Sequence, residues 1–482
     1  MAVLSNLEPK KVFSFFEAIC SIPHGSGNTA QISNYCAAFA RERGLEYYQD
    51  ALGNVIILAP GTPGYEDAEA IILQGHIDMV CVKTDDCPLD LAKDGLEVAV
   101  DGDYVYAKGT SLGGDDGAAV AMILALLDSP EIPHPPIEAL LTVDEETGMF
   151  GAAAVDFSPM KGKKLINIDS EEEGIFTVSC AGGVRATCSL PLKREQVELP
   201  RISITVDGLL GGHSGVEIHK GRGNAITLLS RIVNAVAQKA SVRLLEFSGG
   251  TADNVIAKSA NAVLAASEGD LESIYSVIEE MNNLLSEEYH ETDAGVQITA
   301  TTLPYQPAYA VTEEDMARLL QVITKVPQGV QTMSESIPGL VQTSLNVGRA
   351  ALKEDLLELC FALRSSVSAE KEQLLEQLKQ IMSAQKGTVS TDGDYPAWEY
   401  RKDSPLRDLL VEVYTDQYGT SPRIDAIHAG LECGLLCSKR PELDCISIGP
   451  NIPGIHSTEE KLSVSSMERV WKFLLEVLKR SK

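Results

Sequence analysis

The sequence of 482 residues has no long hydrophobic run. Its longest apolar stretch, residues 118–127, ends at Asp128 and is far shorter than the ~20 residues that a membrane helix needs. The first residues also lack the basic segment and long apolar core of a secretory signal. We therefore expect a protein of the cytoplasm, with no membrane as a partner.

Basic residues are scarce as well. Lys and Arg total 40 against 69 Asp and Glu, which gives a formal net charge of −29. A surface this acidic repels phosphate backbones and anionic lipids. We therefore expect no nucleic acid partner either. The ten cysteines include no Cys-x-x-Cys pair, and we expect them to be reduced, buried thiols rather than metal ligands or disulfides.

The length of the chain predicts two domains, because 482 residues exceed one ordinary core. Strands alternate with helices in residues 1–187 and again in residues 396–482, which indicates an α/β domain with a doubly wound mixed sheet. Residues 188–395 read as antiparallel strands followed by helices, the pattern of an α+β domain. The α+β domain is thus predicted to be inserted into the α/β domain as a lid.

The motif Gln-Gly-His-Ile-Asp-Met-Val at 74–80 ends an apolar run. Residues two apart in a strand point to the same side, so His76 and Asp78 can face the same way. An imidazole whose second ring nitrogen meets a carboxylate is a typical metal ligand. Taken alone, such a pair at a strand end is more often an ordinary surface pair.

Similar residues follow other predicted strands, and one lies within the Gly-rich segment 109–117. That segment lacks the Gly-Lys-Ser/Thr of a phosphate-binding loop. Because strand ends of a doubly wound sheet meet at one edge, we predict that these residues form one metal site. The candidate ligands are His76, Asp115, Glu146, Asp169 and His456. Nitrogen and oxygen ligands without thiolate suit two divalent ions, zinc first and manganese or cobalt as alternatives. Glu145, beside Glu146, is a candidate general base.

Seven stretches of this sequence resemble the aminoacyl-histidine dipeptidases (Xaa-His dipeptidases, peptidase D, carnosinase-like). These belong to a larger family of di-zinc aminopeptidases, aminoacylases and desuccinylases. The matching stretches extend along the whole chain, at 74–80, 109–117, 145–149, 169–174, 211–215, 428–434 and 448–457. The resemblance implies that His76 and Asp169 hold one metal, that Glu146 and His456 hold the other, and that Asp115 bridges the two.

The resemblance also assigns catalytic roles. It implies that Asp78 orients the metal-binding histidine before it, that Glu145 is the general base, and that His213 on the lid stabilises the oxyanion. Where these dipeptidases often have Asp-Asn-Gly, this chain has Asp115, Asp116 and Gly117. The peptide bond between the two aspartates is expected to be cis.

The expected function is a metallodipeptidase that hydrolyses dipeptides, including Xaa-His dipeptides such as carnosine, with a metal-bridged water as the nucleophile. One alternative is an N-acyl amino acid deacylase or a carboxypeptidase of the same fold. A requirement for a free amino terminus in the substrate would favour the dipeptidase. A second alternative is a non-catalytic protein that binds a partner through the lid, and a lack of bound metal would favour it.

A dipeptidase has to recognise both charged ends of its substrate. Glu432 is our candidate for the amino group, and Arg364 is our candidate for the carboxylate, which a guanidinium can bind with two parallel hydrogen bonds. Asn254 is a third candidate substrate-binding residue. Glu432 could instead cap its own helix, and Arg364 could instead pair with a lid carboxylate. The resemblance leaves open a homodimer through the lid, and it leaves open whether His213 acts in the site of its own chain or in the partner's site.

Overall fold

A computed structural model describes residues 3–482 of the chain, and these form two compact units. The first unit contains the described residues up to Ser179 together with Tyr400–Ala426 and Leu431–Lys482, and the second contains Cys180–Glu399 and Ile427–Gly430. The predicted boundaries at 188 and 395 both fall inside the second unit. The physical reason is that the strand Gly182–Pro191 already pairs within the sheet of the second unit, so the chain enters that unit before residue 188.

Helices in the described part of the chain are α1 (Lys10–Cys20), α2 (Ala30–Glu42), α3 (Gly114–Leu127), α4 (Phe150–Ala154), α5 (Ala225–Lys239), α6 (Leu271–Glu288), α7 (Glu313–Lys325), α8 (Ser368–Ala384), α9 (Pro405–Tyr418), α10 (Glu432–Lys439) and α11 (Val464–Arg480). Strands up to residue 213 are β1 (Glu46–Gln49), β2 (Val55–Ala59), β3 (Ile71–His76), β4 (Val98–Asp101), β5 (Tyr104–Ala107), β6 (Ile137–Thr142), β7 (Lys164–Asn167), β8 (Ile175–Cys180), β9 (Gly182–Pro191), β10 (Arg194–Val197), β11 (Arg201–Asp207) and β12 (Gly212–His213). The remaining strands are β13 (Val242–Gly250), β14 (Val255–Ile256), β15 (Ala260–Ala266), β16 (Gln297–Leu303), β17 (Ala308–Val311), β18 (Gly329–Met333), β19 (Val341–Lys353), β20 (Leu356–Ser365), β21 (Thr388–Tyr395), β22 (Arg423–Ile427), β23 (Asp444–Ser447) and β24 (Lys461–Ser463).

The main sheet of the first unit has the strand order β1-β2-β6-β3-β7-β23-β8-β22. Its four central strands, β6, β3, β7 and β23, pair in parallel, whereas β1 and β2 pair antiparallel at one side. Every residue of β3 and β6 is buried, as expected for parallel strands covered on both faces. The carboxyl ends of the four central strands therefore meet at one edge, where ligands of doubly wound sheets bind.

The helix α3 explains why that sheet is covered so completely. All of its residues are buried, and it packs on α1 and β3. A helix that is apolar on every side has to lie inside a core rather than on a surface. The Gly-rich segment before it is thereby fixed against the strand end that carries His76.

The second unit contains a sheet with the order β16-β11-β15-β13-β19-β20-β9-β21, with β18 paired to β19 and neighbours antiparallel. The helices α5 to α8 bury apolar side chains in the core of this unit. The longest of these four helices is α6. The predicted fold class, a doubly wound mixed sheet with an inserted α+β domain, is confirmed. No helix of residues 3–482 combines the length and the apolar character that crossing a membrane requires.

Candidate metal centre

His76 ends β3 with a carboxylate at each ring nitrogen. Its Nδ1 lies 3.0 Å from the backbone oxygen of Asp78 and 3.5 Å from that residue's Oδ1. Its Nε2 lies 3.0 Å from Oδ1 of Asp115 and 3.3 Å from Oδ1 of Asp169. The imidazole is therefore held from behind by Asp78, and its other nitrogen faces two carboxylates at the sheet edge.

A second imidazole, His456, closes the other side of this edge. Its Nε2 lies 2.9 Å from Oε2 of Glu146 and 3.3 Å from Oδ2 of Asp115. His456 comes from the loop after β23, and Glu146 from the loop after β6. The five predicted ligands, which come from five separate parts of the sequence, thus lie together in the first unit.

Asp115 joins the two groups, because its Oδ1 faces His76 and its Oδ2 faces His456. One carboxylate with an imidazole at each oxygen has the shape of a bridge between two cations. The spatial groupings that could hold an ion include Asp115, Glu146 and His456, and separately His76, Asp116 and Asp169. Asp115, not its acidic neighbour, is therefore placed to serve both groups.

Asp116, the departure from the dipeptidase pattern, is buried beneath the site. The peptide bond between Asp115 and Asp116 is cis, as expected. Oδ2 of Asp116 accepts the backbone N–H of His76 at 3.1 Å. A Cβ on Gly75 would lie only 2.6 Å from that oxygen, so the glycine in the 74–80 motif is what lets the carboxylate approach the strand.

The electrostatics of the clustered carboxylates and imidazoles favour a bound positive charge. Burial raises the pKa of Asp169 and of Asp116, and nearby carboxylates raise both further. Burial opposes the charged form of His76, but Asp169, Asp115 and Asp78 outweigh it and raise its pKa. Hydrogen bonds to Asp115 and Glu146 raise the pKa of His456 to about 10. Oxygen and nitrogen donors crowded in this way are a suitable ligand set for divalent ions.

Asp78 also ties the metal ligands to the loop that carries the candidate base. Its Oδ1 accepts the backbone N–H of Glu145 at 3.1 Å, and its Oδ2 accepts the hydroxyl of Ser26 at 2.8 Å and the N–H of Glu146 at 3.4 Å. One carboxylate therefore positions the imidazole and the Glu145 loop together. Sequence reasoning missed Ser26, because a serine between two helices gives no signal of such a contact.

Glu460 is a second residue that sequence reasoning missed. This buried carboxylate accepts backbone N–H groups of Leu112 at 2.9 Å and Gly114 at 2.8 Å, and longer ones from Gly113 and Asp115. It thereby holds the Gly-rich segment in place at the start of α3. Its partners are backbone groups, which the sequence does not mark.

The candidate base, Glu145, lies with His76 and Glu146 in one potential ion-binding group. Burial raises the pKa of its carboxyl group. In the described part of the chain, no residue donates a hydrogen bond to this carboxylate. Its lone pairs are therefore free to accept a proton.

His213 lies in the second unit, where β12 pairs with β14. Its Nδ1 accepts the backbone N–H of Gly215 at 3.2 Å and of Val216 at 3.3 Å, so the neutral ring carries its hydrogen on Nε2. Burial, with the charge of Arg364, lowers its pKa and keeps the ring neutral. The exposed residue Asn254 adjoins this turn, because its backbone oxygen accepts the N–H of Ser214 at 2.8 Å.

Arg364 is the penultimate residue of β20 in the same unit. Its Nη1 donates to the hydroxyl of Tyr395 at 2.9 Å, while its Nε is buried without a partner. No carboxylate of residues 3–482 forms an ion pair with it, so the alternative of a paired lid arginine is not realised. Nearby, Nε2 of His428 is 2.7 Å from Oγ of Ser344, and burial lowers the pKa of His428 to about 3.

Glu432 does not fit its predicted role. Its side chain is fully buried at the start of α10, and it forms no cap hydrogen bond there. Its Oε2 accepts Nε2 of Gln74 at 2.6 Å and Oγ1 of Thr142 at 2.7 Å. Burial raises its pKa to about 7. A carboxylate so enclosed is unsuited to direct contact with a substrate's amino group, and this prediction is corrected.

Replacement of His456 by alanine should remove one bound metal ion and leave the other. The imidazole belongs to only one of the two groups that Asp115 joins, so the His76 group keeps its donors. Metal content of the purified variant, measured by mass spectrometry after loading with zinc, checks this. His290→Ala is the control, since His290 is exposed and its Nδ1 bonds only the backbone of its own helix end. Two equivalents of metal in His456→Ala would remove His456 from the ligand set.

Comparison with known proteins agrees with this geometry. Residues 72–480 match the model of peptidase family M20/M25/M40. The chain is 36% identical over 481 residues to the cytosol non-specific dipeptidase of Escherichia coli (strain K12), with 99% of each chain covered. The crystal structure of aminoacylhistidine dipeptidase from Vibrio alginolyticus is similar at 35% identity and a TM-score of 0.96, over 99% of this chain and 98% of that chain.

A more distant likeness concerns the fold alone. The aminopeptidase PepT structure from Bacillus cereus has a TM-score of 0.61 at 15% identity, with 98% of each chain covered. The family model spans most of the chain, and the relative from Escherichia coli matches nearly all of it. The chain therefore belongs to peptidase family M20/M25/M40.

Proposed function

We propose that this chain is a cytoplasmic metallodipeptidase that hydrolyses unsubstituted dipeptides, including Xaa-His dipeptides such as carnosine. The observation that carries the proposal is Asp115, whose two oxygens face two different imidazoles beside a free glutamate. The relative from Escherichia coli is named a cytosol non-specific dipeptidase, which supports both the substrate class and the compartment.

The residues present fit two divalent ions, with zinc as the first candidate and manganese or cobalt as alternatives. His76 and Asp169 would hold one ion, Glu146 and His456 the other, and Asp115 both. When bound, such ions supply Lewis-acid polarisation of a carbonyl and a water that is more acidic than bulk water.

The protein's own groups then divide the proton transfers and charge stabilisation. Glu145, with a carboxylate free of hydrogen bonds from the described residues, accepts the proton of the attacking water and passes it to the leaving amine. His213, neutral and with its hydrogen on Nε2, donates to the oxygen that becomes negative in the transition state. Asp78 keeps His76 and the loop of Glu145 in fixed relation during these steps.

Recognition of the substrate's carboxylate is assigned to Arg364. Its guanidinium forms no ion pair with a carboxylate of the described chain, and it donates one hydrogen bond to the Tyr395 hydroxyl. An arginine with free N–H groups binds a carboxylate with two parallel hydrogen bonds. Asn254, exposed beside the His213 turn, is proposed as a further contact to the substrate.

A substrate screen tests the proposal directly. Metal-stripped protein reloaded with zinc, manganese or cobalt should cleave dipeptides, and should cleave N-acetylated dipeptides and N-acetyl amino acids at least ~100-fold more slowly, which corresponds to about 3 kcal/mol. Faster cleavage of N-acetyl amino acids would instead identify a deacylase. Light scattering on the same samples measures whether the chain forms the homodimer that the resemblance allows.

Replacing Glu145 by glutamine should abolish most turnover while both metals stay bound. The amide has nearly the same shape but cannot accept the proton, and general-base catalysis is worth roughly 10²–10⁴-fold. Dipeptide kcat and metal content are measured together on one preparation. Glu172→Gln, which removes one negative charge from an exposed loop position, is the matched control and should stay near wild type. A kcat within a few-fold of wild type in Glu145→Gln would exclude it as the base.

Replacing Arg364 by methionine should weaken cleavage of a dipeptide acid far more than cleavage of the corresponding dipeptide amide. The acid loses a charged partner, which costs about 1.5–3 kcal/mol or more, whereas the amide never had that contact. The measurement is kcat/KM for both substrates with both proteins. Arg349→Met, on the neighbouring strand β19, is the control for loss of a lid arginine. An equal loss for acid and amide would show that Arg364 supports the second unit instead of binding the carboxylate.

A further inference from the structure

A buried layer of polar side chains lies beneath the candidate metal ligands in the first unit, two residues earlier along the chain. Gln74 on β3 and Asn167 on β7 each precede a ligand, His76 and Asp169, by two residues. Side chains two apart in a strand share a face, so Gln74 lies beneath His76, and Asn167 is the last residue of β7, just before Asp169. Gln74 and Asn167 are also register partners in the parallel pair β3–β7.

Hydrogen bonds join this layer across three neighbouring strands. Nδ2 of Asn167 donates to Oε1 of Gln74 at 2.6 Å, and Nε2 of Gln74 donates to Oε2 of Glu432 at 2.6 Å. Thr142, the residue of β6 in register with His76, donates its hydroxyl to the same Oε2 at 2.7 Å. The carboxylate of Glu432 on α10 therefore receives hydrogen bonds from two strands and, through Gln74, is linked to a third.

This arrangement needs an explanation, because a buried carboxylate is costly. Glu432 is 0% exposed, and its Oε1 has no partner among the described residues. Burying a carboxylate costs several kcal/mol unless it is fully hydrogen-bonded, and an apolar residue of similar volume would avoid that cost. Local packing alone therefore does not account for an acid at this position.

We propose that Glu432 is a positioning residue for the metal centre. By accepting from Gln74 and Thr142, it fixes the relative positions of the ends of β3 and β6, and through Gln74 that of β7. These three ends bear His76, the loop of Glu145 and Glu146, and Asp169. The inference rests on the metal site of the proposed function, but not on its substrate.

The first test compares Glu432→Gln with Glu432→Leu by calorimetric titration of the metal-stripped proteins with zinc. The amide oxygen of glutamine can accept both hydrogen bonds, so Glu432→Gln should bind zinc within about 3-fold of wild type. Leucine accepts neither, and loss of residues that orient metal ligands typically weakens binding ~10–100-fold. Wild-type affinity in a folded Glu432→Leu protein would overturn the proposal.

A matched control separates positioning from general stability. Glu138 is another buried carboxylate of the first unit; it lies on β6, near the end of the strand opposite Thr142, and accepts the backbone N–H groups of Lys161 at 2.7 Å and Gly162 at 2.9 Å. Glu138→Leu should lower the melting temperature without changing zinc affinity. An equal loss of zinc affinity in Glu138→Leu would show that any buried acid of the sheet has this effect, which would also overturn the proposal.

Thr142→Val provides a variant that should fold in any case, because valine has the shape of threonine without the hydroxyl. It removes one of the two hydrogen bonds to Glu432 and should weaken zinc binding several-fold. Unchanged affinity in this variant counts against the proposal even if Glu432→Leu does not fold. Since zinc titration uses no peptide, a wild-type protein that binds two ions but cleaves no dipeptide would refute the proposed function and leave this inference standing.

Discussion

The structure of the first unit depends on the approach of one carboxylate, Asp115, to two imidazoles at a sheet edge that is already crowded with acids. Burial alone would drive Asp169, Asp116 and Glu145 toward their neutral forms. Such a cluster is stable in its charged form only if positive charge lies among the oxygens. Cations held there would offset the mutual repulsion of the acids, so the folding of this edge and the binding of metal are expected to be thermodynamically coupled.

The surrounding contacts all limit how far this cluster can relax. Gly75 lets Asp116 lie against β3, and Glu460 fixes the backbone before α3 from a position far along the chain. Asp78 joins His76 to the loop of Glu145. Each of these groups is itself buried and hydrogen-bonded, so its orientation is determined by packing. A site built in this way holds its charges in place before a substrate arrives, which is the condition for strong electrostatic stabilisation of a transition state.

The clustering of the candidate metal ligands at one sheet edge could be predicted from the sequence because it follows from two local rules. Parallel strands are apolar throughout, and their carboxyl ends meet at one edge, so a histidine or an acid after such a run points to a site. The bridging role of Asp115 is implied by the resemblance, and in the structure its two carboxylate oxygens face His76 and His456. In contrast, Glu460 and Ser26 act on backbone N–H groups and on another residue's carboxylate, and the sequence gives no sign of either partner.

The role predicted for Glu432 and the boundary predicted at residue 188 both differ from the structure because of long-range contacts. Glu432 is a candidate for the substrate's amino group because it is an acid in the 428–434 stretch of the α/β domain, whereas its carboxylate is in fact bound by Gln74 and Thr142, more than 280 residues away along the chain. The domain boundary is predicted at 188 because the pattern of strands and helices changes there from an α/β type to an α+β type. The pairing of β9 with β20, which decides the boundary, begins at Gly182.

The second unit contributes a different kind of group to the proposed chemistry. Arginines elsewhere in this acidic chain, such as Arg318 and Arg469, are paired with carboxylates of the protein. Within residues 3–482, Arg364 is bound by the phenol of Tyr395, which cannot neutralise it, and after burial its charge is the next cause that lowers the pKa of His213. A guanidinium left without a counter-charge in a chain of net charge −29 retains its full attraction for an anionic group from outside. The carboxylate of a short peptide has that charge, so Arg364, which has no ion pair within residues 3–482, is available for the proposed substrate selection.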